Sequence, residues 1–162
     1  MMRRLRADAL ATSVTAIDVA ALRARGIDGA IIDLDNTLVG YRALEPSAAD
    51  ARWIAEAAAS GFRIVIVTNN ATPWAQAVAK GLGVPCVGNA RKPLPRGFRR
   101  ALDVLELPRE RVVVIGDQFF TDVLGAKFFG LPVILVPPLG DRDPLNTRPL
   151  RWLARLLRVE RR

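Results

Sequence analysis

The chain reads as a three-layer α/β domain, a parallel sheet with helices on both faces. Two observations predict this. Short apolar runs rich in β-branched residues alternate with capped helical segments along the chain, and each run is apolar throughout rather than on one face. In addition, 162 residues without a repeat or a low-complexity linker suit one domain over 1–162.

The elements follow in order. Thr15-Ala16-Ile17-Asp18 resembles a capping box opening a helix from Ile17 to Arg25, with Gly26 as its C-cap. Ala30-Ile31-Ile32 is a strand leading into an acidic stretch. Ser47 caps a helix to Ala59 that stops at Gly61, and Phe62 to Val67 is a buried strand. Thr72-Pro73 opens the next helix with proline at its first position. Val84 to Val87 is a short strand, and a helix follows near Pro95 to Leu105. Arg111 to Ile115 is a strand, Thr121 to Phe129 a helix, and Leu131 to Val136 the last strand. Pro149 to Val159 forms a last helix, within a basic amphipathic segment over 147–162.

Composition narrows the chemistry. At 51% hydrophobic and 25% charged, the chain has the make-up of a soluble globular protein. No run reaches the roughly 20 apolar residues of a membrane span. Met1 to Leu22 superficially suggests a signal peptide, but Asp8 and Asp18 interrupt it, so it reads as part of the fold. With no histidine, a Ser-His-Asp triad and a His-ligated zinc site are excluded. The one cysteine, Cys86, reads as a small buried residue. The net charge of +8 and a pI near 11.1 imply an anionic partner.

In open parallel sheets ligands bind beyond the carboxyl ends of the strands. The residues there are Asp33 and Asp35, Thr68 and Asn69, and Gly116 and Asp117, with Asp122 a turn later. Asp33 and Asp35, two apart on an extended chain, are expected to share a face. Converging carboxylates repel unless protonated or bound to a cation, and an oxygen-only donor set favours Mg²⁺. Each residue also has a plainer reading: helix caps for the acids, turn residues for Thr68 and Asn69, and a solvated surface lysine for Lys92.

The motifs Asp33-Leu34-Asp35-Asn36-Thr37-Leu38, Val67-Thr68-Asn69-Asn70, Lys92-Pro93 and Gly116-Asp117-Gln118 through Thr121-Asp122 resemble, in order, the four motifs of the haloacid dehalogenase superfamily. The resemblance runs from about Thr15 to the last strand. It implies a Rossmann-like core and a Mg²⁺-dependent phosphatase working through an aspartyl phosphate. Asp33 would be the nucleophile, Asp35 the general acid/base, and Thr68, with Asn69, the phosphate binder. Lys92 would stabilise charge, and Asp33, Asp35, Asp117 and Asp122 would hold the metal, Asp122 as support or alternate ligand. Gly26-Ile27-Asp28-Gly29, Ala90-Arg91-Lys92-Pro93 and Gly116-Asp117-Gln118 are similar to a bacterial group related to mitochondrial phosphatidylglycerophosphate phosphatases.

Asp33 to Thr68 spans 35 positions and Thr68 to Lys92 spans 24, which leaves no room for a cap domain. An uncapped site suits a large substrate or one presented at an interface. On the last helix Arg148, Arg151, Arg155, Arg158 and Arg162 fall on one face opposite Trp152, Leu153, Leu156, Leu157 and Val159. That helix either lies on an anionic bilayer or packs its apolar side on the sheet. The leading expectation is a cytoplasmic enzyme, peripheral to the inner face of the plasma membrane, dephosphorylating phosphatidylglycerophosphate to phosphatidylglycerol. The alternatives are a phosphatase of a soluble or macromolecular phosphate ester and a receiver-like phosphoacceptor. Charge alone suggests nucleic acid, and with no recognised binding motif none is expected as a partner.

Overall fold

A computed structural model describes residues 5–40 and 43–140. Six parallel strands form one sheet: β1 (Ala9–Leu10), β2 (Gly29–Ile32), β3 (Arg63–Val67), β4 (Cys86–Val87), β5 (Val112–Gly116) and β6 (Val133–Leu135). Their order is β1-β6-β5-β2-β3-β4. The chain steps outward from β2 to β3 and β4, then crosses back to β5 on the other side of β2. The strand order therefore reverses around β2, and Ile32 pairs with Ile66 on one side and Ile115 on the other. A parallel sheet opens its ligand crevice at such a reversal, beyond the carboxyl ends.

Alternation along the strands builds the two cores. Ala30, Ile32, Ile64, Ile66, Val113 and Ile115 pack with α1 (Val19–Ala24), α2 (Ala48–Ala59) and α3 (Pro73–Leu82) on one face. Ile31, Val65, Val67, Val112 and Val114 pack with α4 (Pro95–Leu105) and α5 (Gly125–Phe129) on the other. Only α2 and α3 stand in the intervals where a cap would be inserted, so the sheet's carboxyl edge carries no second domain among the described residues. No helix among those residues is long and apolar enough to cross a membrane. The expected last helix, Pro149 to Val159 within the basic segment over 147–162, lies outside the described residues.

Most helix starts follow the sequence signals. The Ser47 hydroxyl accepts from Asp50 N at 3.1 Å and donates to the Asp50 carboxylate at 2.5 Å. Proline opens both α3 and α4. Gly26 and Gly83 turn left-handed at φ 82° and 71°, each directly after its helix or at its cap.

Three elements differ from expectation. Thr15 opens no helix: Ser13 caps a short 3₁₀ turn (Val14–Ala16), and Asp18 itself caps α1 by accepting from Ala21 N at 3.1 Å. Strand β1 was not anticipated. It pairs with β6, anchored by Asp8, whose carboxylate accepts from Val133 N at 2.8 Å and from the Lys127 ammonium. The expected helix from Thr121 to Phe129 is two pieces, a wide π-helical turn (Phe119–Leu124) and then α5. Cys86 is half-buried against the first core rather than enclosed.

One close approach links the fold to the lysine segment. A Cβ at Gly97, in the first turn of α4, would sit 2.7 Å from Ala90 Cβ and 2.8 Å from Ala90 O. We expect Gly97→Val to destabilise the protein by about 1–3 kcal/mol through overpacking, read as a lower urea midpoint with an unchanged slope. An unchanged midpoint would show that α4 moves away freely.

Candidate active site

Residues from four strand ends meet at the reversal. Asp33 follows β2, and its backbone N–H donates to Ile115 O at 2.9 Å, which locks it beside the end of β5. Lys92, in the loop after β4, is buried although it carries a charge. Its ammonium donates to Asp33 Oδ1 at 2.5 Å and to Asp122 Oδ1 at 2.7 Å. Asp117 follows β5 and is joined to Asp33 through Thr37, whose hydroxyl lies 3.1 Å from Asp33 Oδ2 and 3.1 Å from Asp117 Oδ1.

The π-helical turn explains the position of Asp122. Both Asp122 N and Val123 N donate to Gln118 O, and this wide turn folds the Asp122 carboxylate back beneath the end of β5. There its Oδ2 accepts from Gln118 N at 3.2 Å. A Cβ at residue 116 would sit 2.5 Å from Asp122 Cγ, so only glycine admits the carboxylate.

Asp35 and Asn69 are each held by hydrogen bonds to a neighbouring loop. Asn36 adopts φ 63°, and Asn36 N donates to Val39 O at 2.7 Å, curling the segment into a tight loop. The Asp35 carboxylate accepts from the Thr68 hydroxyl at 2.6 Å. The three acids whose oxygens lie within 4.8 Å of one another are Asp33, Asp117 and Asp122, and Asp35 is not among them. Asn69 spends its side chain on the backbone of Lys92: its Oδ1 accepts from Lys92 N at 2.6 Å and its Nδ2 donates to Lys92 O at 3.1 Å.

The electrostatics follow from one buried ammonium serving three clustered acids. Burial pushes the Asp33 carboxyl up from 3.8 to about 8; Lys92 opposes the rise, while Asp122 and Asp117 add to it. Burial likewise pushes Asp117 up to about 7, with Asp122 reinforcing it. Burial alone would lower Lys92, but Asp122 and Asp33 outweigh it, so the ammonium stays charged. The Thr37 hydroxyl has one proton and cannot donate to both acids at once. A second proton, a cation or solvent at the partly buried Asp117 then satisfies the other.

The donor set fits a hard divalent cation. It offers carboxylate oxygens and no soft ligand, and with all three acids ionised against Lys92 it leaves two negative charges to balance. Thr37 and Gly116 complete the site, and neither received a role from the sequence. Thr37 stood within the quoted motif, but only its place between two acids distinguishes it from a turn residue.

Fold and site together define an α/β enzyme with a carboxylate-rich, cation-binding centre at the carboxyl edge of a parallel sheet. Known proteins agree. Residues 46–130 match the model of the haloacid dehalogenase-like hydrolases. The chain is 39% identical over 134 residues to a protein named as a probable phosphatase, YqeG, of Bacillus subtilis (strain 168), covering 83% of this chain and 78% of that one. It is 28% identical over 160 residues to the chloroplastic phosphatidylglycerophosphate phosphatase 1 of Chlamydomonas reinhardtii, covering 90% of this chain and 60% of that protein. A crystal structure of an uncharacterized protein from Listeria monocytogenes serotype 4b shares the fold, with TM-score 0.57, 18% identity, and coverage of 82% of this chain and 99% of that one. The chain belongs to the haloacid dehalogenase-like hydrolases, and it is a phosphatase.

The raised carboxyls set the sign of a stability profile. In metal-stripped protein Asp33 and Asp117 hold protons to higher pH when folded than when unfolded. Their contribution is therefore complete below about pH 4 and is lost as pH rises toward 7 and 8. We expect thermal stability of the stripped protein to fall across that window and to be restored there by adding a divalent cation. A profile that is flat, or that rises with pH, would contradict this electrostatic account.

Proposed function

We propose that this phosphatase acts on phosphatidylglycerophosphate at the membrane surface, with Mg²⁺ bound by Asp33, Asp117 and Asp122 and with Asp33 as nucleophile. The observation that carries the mechanism is the buried Lys92 ammonium fixed on Asp33 and Asp122, which places a permanent cation beside the carboxylate that follows β2.

In the first step an Asp33 oxygen attacks phosphorus and the bond to the ester oxygen breaks, forming an aspartyl phosphate. Asp35, within reach of the Thr68 hydroxyl, gives its proton to the leaving oxygen. In the second step water attacks the same phosphorus while Asp35 takes its proton. The bond to Asp33 breaks, and inorganic phosphate leaves. Thr68 supplies a hydroxyl for a phosphoryl oxygen, Lys92 balances the charge that develops, and Asn69 fixes the Lys92 backbone. Bound Mg²⁺ keeps the carboxyls ionised and neutralises phosphoryl charge.

Support for the lipid substrate is the likeness to the Chlamydomonas phosphatase, together with an edge that carries no cap. The missing cap leaves the phosphoryl centre open to a headgroup still seated in a bilayer. The second reading, a soluble or macromolecular phosphate ester, keeps every step of this chemistry.

We expect Mg²⁺-dependent release of phosphate from phosphatidylglycerophosphate in mixed micelles, abolished by chelation. Asp33→Asn should remove turnover, and Asp35→Asn should reduce kcat by about 10²–10⁴-fold. Undiminished activity of Asp33→Asn would sink the mechanism. Robust turnover of soluble esters with none on the lipid would replace the substrate and leave the mechanism standing.

A further inference from the structure

Of the eight large apolar side chains exposed among the described residues, four follow the carboxyl ends of four different strands, on the edge of the sheet that holds the site. Leu44, in the loop after β2, is 75% exposed, and Leu94, after β4, is 56% exposed. Phe120, after β5, is 39% exposed, and Leu139, after β6, is 48% exposed. In a parallel sheet these segments follow the carboxyl ends of the strands, so the four side chains stand on the same edge as the carboxylate centre. Single exposed apolar residues are ordinary, but several on the edge that carries a polar site form a rim that can meet a partner.

The rim is tied to the site by backbone contacts. Leu139 N donates to Asn36 O at 2.8 Å, inside the Asp33 loop. The Trp74 indole N–H, at the start of α3, donates to Leu44 O at 2.9 Å. Leu94 is the N-cap of α4, two residues after Lys92, and Phe120 lies in the first part of the turn that carries Asp122. None of these four side chains lies in either apolar core.

Charge selects the partner. Beside Leu94 stand Arg91 and Arg96, both exposed, and the exposed acid in these loops is Glu45. Apolar side chains among arginines, beside a site for a phosphate ester, match the interface of an anionic bilayer. There hydrocarbon lies just beneath anionic headgroups.

We propose that this edge docks on an anionic phospholipid bilayer, with Leu44, Leu94, Phe120 and Leu139 entering the interface and Arg91 and Arg96 meeting the headgroups. The bilayer then performs the function of the missing cap, covering the carboxylate centre while a headgroup occupies it. This rests on the lipid reading of the substrate, and it specifies the face that meets the membrane.

The test uses the full chain and a variant carrying Leu44→Ser, Leu94→Ser, Phe120→Ser and Leu139→Ser. Both are measured for sedimentation with phosphatidylcholine vesicles containing phosphatidylglycerol, for turnover of phosphatidylglycerophosphate in those vesicles, and for hydrolysis of p-nitrophenyl phosphate. We expect the variant to bind vesicles at least about tenfold more weakly and to lose lipid turnover in parallel, with soluble turnover within about twofold. Arg91→Gln with Arg96→Gln should weaken binding to anionic vesicles and leave any residual binding to pure phosphatidylcholine unchanged. Equal vesicle binding by variant and wild type would overturn the proposal, as would a parallel loss of soluble turnover. Concentration-dependent self-association removed by the four changes, without vesicle binding, would reassign the face to a second copy of the chain. Rim-dependent binding without lipid turnover would uphold the docking face and reject the lipid substrate.

Discussion

The placement of one buried ammonium governs this site. Lys92 is nearly sealed from solvent, its side chain 3% exposed, and it bonds to Asp33 and Asp122. A buried ion pair is poor evidence of stability, because desolvation of the charges consumes most of their attraction. Removing Lys92 would be costly all the same, since it would leave clustered acids with no fixed counter-charge. The fold spends local structure on that placement. Asn69 brackets the Lys92 backbone on both sides, a wide π-helical turn brings in Asp122, and Gly116 gives up its side chain to admit it.

The same interaction explains why the centre suits a cation. Lys92 balances one acid of three, and burial raises the proton affinity of Asp33 and Asp117. Such a cluster holds protons or a divalent ion, and the proposed chemistry at the Asp33 carboxylate would use the second. The sheet makes the convergence possible. Strand order reverses at β2, so loops from β2, β3, β4 and β5 open toward one point.

Much of this was legible in the sequence because it is written in local patterns. Continuous β-branched runs marked β3 and β5, prolines marked the starts of α3 and α4, and Ser47 marked α2. The acids and hydroxyls that ended successive strands then pointed to one site. The rest depends on contacts distant in the chain. Strand β1 has two residues, too few for periodicity, and exists through Asp8 and its partners more than a hundred residues away. The break in the expected Thr121–Phe129 helix follows from the room left at Gly116. Leu34, between Asp33 and Asp35, is buried in the first core as the alternation requires, but the hydrogen bond from Thr68 to Asp35 joins loops distant in the chain and has no local signal. Asn69 was read as a substrate contact, and only the two hydrogen bonds to Lys92 reveal its hold on the backbone.

The proposed mechanism rests on the carboxylate of Asp33 as the group that bonds to phosphorus. The direct test is a single turnover with phosphate-labelled substrate and Mg²⁺, quenched in acid and followed by peptide mapping. The account predicts an acyl phosphate, labile to hydroxylamine, on the peptide containing Asp33, and its disappearance at the rate at which inorganic phosphate is released. Label on another residue, or release of phosphate with no covalent enzyme species even when the second step is slowed by Asp35→Asn, would contradict it.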